Sequence, residues 1–175
     1  FAQDGRTYVE RTSRRYDAVV IDVYSGESTP AHLCSAEAFR AAKRCLRPGG
    51  ILLLNFLGVL RGEPEAAMTR AVSATLRHNF GQVWLHYDGA EDSFNNLLFI
   101  AMDQARERST AATPPVSESC RAAAERMVAH RVPAPAGGRI LTDDRNPVDH
   151  LDWRAREKWR AETLAWLGVG VVVDA

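Results

Sequence analysis

No sign of charge dominates this sequence: 22 Lys and Arg balance 22 Asp and Glu over 175 residues. A dedicated nucleic-acid binder would usually carry a basic excess, so that class is disfavoured. Long apolar runs are missing too. None approaches the roughly 18 residues of a spanning helix, so no membrane segment is expected. Cysteine is scarce. Cys34, Cys45 and Cys120 are odd in number and lack metal or redox spacing, so the expectation is reduced thiols in the cytoplasm. Glycine-rich ligand loops are absent as well. No G-x-G-x-x-G occurs, and Ser25-Gly26 lacks the G-x-S-x-G frame of a nucleophile elbow. Gly49-Gly50 precedes a strand pattern instead of opening a helix, and reads as a turn. There is no internal repeat.

What is present is an ordinary globular composition, 46% hydrophobic and 25% charged, in a chain long enough to bury a core. The central stretch is Tyr16-Asp17-Ala18-Val19-Val20-Ile21-Asp22-Val23-Tyr24-Ser25-Gly26. Its apolar run predicts a strand over 17–23, covered on both faces. A loop through Pro30 follows. In open α/β sheets ligands bind beyond the carboxyl ends of the strands, which makes Asp22 the centre of any site.

The remaining pattern alternates. A short helix is expected over 6–14. Ser35 caps a helix over 36–46, with Glu37 in its first turn and Phe39, Ala42 and Leu46 on its buried face. Arg47-Pro48-Gly49-Gly50 stops it, and a central strand follows over 51–56. A helix over 63–79 opens at Pro64 and buries Met68, Val72 and Leu76. Strands 82–87 and 96–102 are joined too tightly for a crossover and must be antiparallel. Residues 104–116 read as a linker. A helix spans 117–130, a Pro/Gly break covers 132–138, and an ordered loop covers 139–150. The last helix, 152–167, has Asp152 as its cap and a stripe of Trp159, Thr163 and Trp166. Packing on the domain is the first reading for these tryptophans, and a homodimer face the second. The Val171–Val173 tail adds an edge strand or frays. The expected architecture is α/β: a domain over 1–103, the linker, and a helical C-terminal extension over 117–175.

Several motifs in this order resemble the spermidine-synthase-like (polyamine aminopropyltransferase-like) group of class I S-adenosylmethionine-fold enzymes. They are Asp4-Gly5-Arg6, the stretch from Tyr16 to Gly26, the segment from Pro30 to Phe39, and Leu46-Arg47-Pro48-Gly49-Gly50-Ile51. The likeness runs over about residues 1–102. Leu141-Thr142-Asp143-Asp144-Arg145-Asn146-Pro147-Val148 looks like a motif near the C-terminus of bacterial members. The resemblance implies the C-terminal half of a Rossmann-like class I methyltransferase fold, with parallel strands, crossover helices and an antiparallel last strand. It also implies that the glycine-rich first half, which approaches the cofactor, lies outside this sequence.

The same resemblance implies site residues. Asp4 and Gly5 match an adenine-contacting pair, in which a carboxylate accepts from an exocyclic amine and glycine permits close approach. The plain alternative is an Asp-Gly turn. Asp22 matches the catalytic aspartate, which takes a proton from an attacking amine or holds that amine against the sulfonium-bound carbon. A loop-bracing or capping Asp is its plain alternative. Tyr24 lines the cofactor pocket or is structural. Polyamine synthases typically have a second acid three positions after this Asp. Ser25 stands there instead, with Glu27 nearby as a substitute. Asp143 and Asp144 supply charge to an amine site or cap the last helix. With Asp149 and His150 nearby no metal spacing is recognisable, and the His32/Cys34 pair reads as loop packing, so no metal is expected. The implied reaction is aminopropyl transfer from decarboxylated S-adenosylmethionine to a small amine. The alternatives are S-adenosylmethionine-dependent methyl transfer to a small molecule, or a non-catalytic α/β interaction module.

Overall fold

The computed structural model describes residues 3–24, 29–87, 89–104 and 117–168. The expectations placed on Ser25, Glu27, the linker beyond 104 and the Val171–Val173 tail lie outside the described residues. Helix α1 spans Gly5–Arg11 and strand β1 Tyr16–Ile21. A 3-10 turn over Ala31–Leu33 leads into α2, Ala36–Arg44. Strand β2, Leu46–Val59, crosses back beside β1 in parallel. Helix α3, Ala67–Asn79, precedes the pair β3, Gln82–Tyr87, and β4, Phe94–Met102. Then come α4, Glu118–Ala129, the short β5, Arg131–Pro133, and α5, Val148–Trp166. Among the described residues no helix is long and apolar enough to cross a membrane.

Among the described residues the sheet has five strands in the order β1-β2-β4-β3-β5. The nine-residue strand β4 inserts antiparallel between β2 and β3. This is the α/β arrangement that the sequence pattern predicts. Alternation along β2 turns Leu52, Leu54 and Phe56 to one face, where all are buried. Phe99 and Leu97 pair with Leu54 and Phe56 on β4, and Phe56 meets Phe99 edge to face at 6.3 Å. From α3, Met68, Val72, Leu76 and the following Phe80 fill the same core. Each such burial contributes about 1.5–3 kcal/mol before entropy is counted. Helices α1, α2, α3 and α5 neighbour one another on this side. Helix α4 contacts β3 over His86 and Leu98, residues paired on the opposite face.

Several boundaries differ from the sequence pattern. Strand β1 is not covered on both faces. It lies at a sheet edge, and Val20 is 62% exposed. Strand β2 starts before the expected turn, because Gly49 at φ 73° and a shift in register between Tyr16 and Ala18 let Arg47–Gly50 stay extended. Helix α3 begins at Ala67, after a turn at 63–66, so Pro64 is not in its first turn. The Pro/Gly break contains β5, whose Pro133 suits an edge strand because it has no N–H to offer. Helix α5 begins at Val148 and not at 152, so Asp152 is no cap. It is buried in the second turn, with Arg156 at 3.5 Å. Trp159 packs on Phe94 at 5.9 Å, whereas Trp166 is 84% exposed, so the expected stripe does not pack as a unit.

Candidate functional site

Because β1 and β2 are parallel, their carboxyl ends open at the same edge of the sheet. Asp22 is the first residue past β1. The register Ile21↔Leu54 brings it opposite Asn55, and Asn55 Nδ2 donates to Asp22 Oδ1 at 3.1 Å. Asn55 is half-buried and is the one polar residue in the run Ile51–Leu57. An amide within an apolar strand gains nothing from burial, and this one finds its partner at the carboxylate. Sequence reasoning missed it. The available signal was that lone polar residue in line with Asp22.

Tyr24 follows two residues later and is half-buried. Its hydroxyl is buried with no hydrogen-bond partner among the described residues. Burial, and after it the charge of Asp22, push the phenol pKa up, so Tyr24 offers a protonated donor beside a carboxylate.

Asp4 and Gly5 open α1. Asp4 Oδ1 accepts from Thr7 N at 2.8 Å and so caps the helix. That backbone hydrogen bond is the main reason its pKa is lowered, with His32 nearby adding a smaller effect. His32 Nε2 lies 3.7 Å from Asp4 Oδ2. A Cβ on Gly5 would meet no heavy atom within 4 Å, so the chain's own packing does not demand glycine there.

The structure brings Asp143 to this rim through Arg6, which the sequence showed only as part of the Asp4-Gly5-Arg6 motif and with no role of its own. Its Nη2 donates to Asp143 Oδ2 at 2.7 Å, and its Nη1 to Oδ1 at 3.3 Å. Its Nε pairs with Glu10. Burial works against the guanidinium charge, but hydrogen bonds to Asp143 and Glu10 outweigh it and raise the pKa. At Asp143 burial also opposes charge, and hydrogen bonds from Ser35 and Arg6 win, lowering the pKa. Asp144 lies next to it in the same turn and is exposed. Asp143 is thus held in an ion pair within the chain, while Asp22 sits in a separate cluster with Asn55.

A groove of ≈ 300 Å³ runs between α1, β1 and α2, lined by Gly5, Arg6, Ile21, Val23 and Leu33 among others. It is mostly apolar, with Gly5 and Arg6 at one rim. A second cleft, of ≈ 590 Å³, lies at the other end of the strands beside Gly49 and Gly50. Two of its cations are engaged, Lys43 with Asp103 at 2.6 Å and Arg47 with Asp17 at 2.7 Å. Among the described residues no group of three or more His, Cys, Asp and Glu could hold a metal ion.

No protein-family model matches the chain. Curated relatives do. A polyamine aminopropyltransferase 2 of Hyperthermus butylicus is 48% identical over 83 residues, covering 46% of this chain and 25% of that protein. A probable polyamine aminopropyl transferase of Bifidobacterium longum is 26% identical over 169 residues, covering 87% of this chain and 37% of that protein. A polyamine aminopropyltransferase 2 of Pseudomonas aeruginosa is 37% identical over 86 residues, covering 47% of this chain and 24% of that protein. In structure the chain is similar to a probable spermidine synthase from Corynebacterium glutamicum, with TM-score 0.63 and 18% identity, over 82% of this chain and 53% of that one. The chain therefore spans a quarter to rather more than a third of the length of these curated relatives.

Proposed function

The chain is spermidine synthase-like in sequence and fold, and from that premise we propose that the protein containing it transfers an aminopropyl group from decarboxylated S-adenosylmethionine to a small amine. The observation that carries this reading is Asp22, placed just past β1 and held by Asn55. A sulfonium is already an activated leaving group, so the enzyme mainly aligns a neutral amine and stabilises its growing charge. The amine lone pair forms the new C–N bond as the C–S bond breaks. The sulfur keeps that electron pair and leaves as methylthioadenosine. Asp22 takes the proton that the amine nitrogen sheds.

The other site residues follow from the same reading. Asp4 and Gly5 meet the adenine edge at the rim of the apolar groove, Asp4 using acceptor capacity beyond that given to Thr7 N. Tyr24 lines the cofactor pocket, and Ser25 and Glu27 are the residues of this stretch assigned to the amine. Arg6 offsets the charge of Asp143, so Asp144 is the acid of that pair left to attract an ammonium group. No metal is needed. The compartment is the cytoplasm, where Cys34, Cys45 and Cys120 stay as thiols. All three are free, and burial with the nearby charge of Asp152 pushes Cys34 up to about 12.

One observation favours a second reading. Ser25 stands where a second acid is expected, which weakens the grip on a diamine and suits methyl transfer from S-adenosylmethionine to a small molecule. Incubation with each donor in turn separates the two. Methylthioadenosine is the expected product, and S-adenosylhomocysteine alone supports methyl transfer. Asp22→Asn is expected to lower kcat by at least about 100-fold, the scale of lost general-base catalysis. Unchanged turnover removes Asp22 from that role.

A further inference from the structure

The loop Leu141–Pro147 is tied down far more heavily than its exposed sequence suggests. Leu141 is fully buried; its N–H donates to Thr75 Oγ1 at 2.9 Å, and its carbonyl accepts from Ala36 N at 2.8 Å. Thr142 and Arg145 close a tight turn through backbone bonds of 3.2 and 3.0 Å. Within that turn Asp143 N donates to Glu37 Oε2 at 3.0 Å, while the Asp143 carboxylate grips Arg6. Asn146 Nδ2 then donates to Ala31 O at 2.7 Å.

Apart from the bonds that close the turn and those to Thr75 and Glu37, these contacts converge on one short segment, directly or through Arg6. Arg6 Nη1 also donates to His32 O at 2.8 Å and to Ser35 Oγ at 3.1 Å. Residues 31–36 are thus held at Ala31 O, His32 O, Ser35 Oγ and Ala36 N, all by the loop or by the arginine that the loop engages. The arginine side chain is only 13% exposed. Burying a guanidinium is costly unless its donors are used, and here each nitrogen has an acceptor. The held segment follows Asp22 and Tyr24 in the chain, and Leu33 lines the apolar groove.

We propose that the Leu141–Pro147 loop is a strap that positions the 31–35 turn beside the site, with Asp143, Arg6 and Asn146 as its positioning residues. Asp143 then acts through Arg6 and does not bind the amine itself. The kinetic consequence rests on the proposed reaction, whereas the holding of the turn does not.

The test compares Asp143→Ala, Asn146→Ala and Asp143→Glu in the full protein, by native-state hydrogen exchange and by transfer kinetics. The amides of Leu33 and Cys34, which donate to Pro30 O and Ala31 O, should exchange about 10-fold faster in both alanine variants, as expected of local opening. The β2 amides of Leu52–Leu54 should be unchanged. For the amine, kcat/KM should fall about 10-fold, while KM for the sulfonium donor changes by less than about twofold. Asp143→Glu should recover most of both losses. Unchanged exchange at Leu33, or an equal rise at Leu33 and in β2, overturns the strap. A wild-type protein with no transfer activity overturns the proposed reaction, and the exchange pattern alone then decides the strap.

Discussion

A single amide decides how the candidate carboxylate is presented. Asn55 sits in a strand where every neighbour is apolar, and its side chain shares the sheet face of Leu53 and Leu57. Local rules would put an aliphatic residue there, and departures from local consistency gather at functional positions. Asn55→Leu is therefore expected to leave stability unchanged or raise it by up to about 1 kcal/mol, since half-buried polar surface becomes apolar. It should still lower turnover about 10-fold, because Asp22 loses the donor that fixes its rotamer. Urea unfolding and steady-state kinetics on one preparation check both halves. A variant that loses stability and activity together would make Asn55 a structural residue. The position of Asp22 was legible in the sequence because a carboxylate at a strand end is a local feature. Asn55 and Arg6 were not, because each matters only through register or through a partner far along the chain, 33 residues away for Asn55 and 137 for Arg6.

Among the elements, those with strong local signals were readable and those set by tertiary pairing were not. Helix α2 begins where Ser35 predicts, and the Met68, Val72 and Leu76 face of α3 is buried as its spacing requires. The β3–β4 pair follows from its short connection. Strand β5 is only three residues long and exists because β3 offers it an edge, and the Pro-rich sequence around it carries no strand signal. Helix α5 starts early because Val148 is buried against the core, which outweighs the capping preference of Asp152. The α2 start also carries a prediction. Ser35 Oγ accepts from Ala38 N at 3.1 Å and from Arg6, and Ser35 is fully buried. Ser35→Ala should cost about 1–2 kcal/mol, at the upper end for a lost cap, because Arg6 loses an acceptor too. A midpoint shift in chemical denaturation measures it, and a loss below about 0.3 kcal/mol would mean that the cap is replaced by solvent.

At the level of the whole molecule the two edges of the sheet are unlike each other. At one edge β5 is three residues long and ends in Pro133, which limits further pairing. At the other, β1 pairs with β2 alone among the described residues and presents six residues, with Val20 62% exposed. The apolar groove of Ile21, Val23 and Leu33 lies alongside. An edge strand whose one charge, Asp17, is already paired with Arg47, next to an apolar groove, is a template for a second strand. The 175-residue chain is therefore expected to self-associate as concentration rises, through β1. The net charge of zero offers no long-range repulsion to oppose this. Val20→Lys places a charge on the open face of that strand without touching the helix-covered core, since Val20 pairs with the half-buried Leu53. The monomer–oligomer midpoint in sedimentation should move to at least about 10-fold higher concentration, equivalent to about 1.4 kcal/mol. Far-ultraviolet dichroism should not change. An unchanged midpoint would place the association elsewhere, with the exposed Trp166 at the end of α5 as the next surface to substitute.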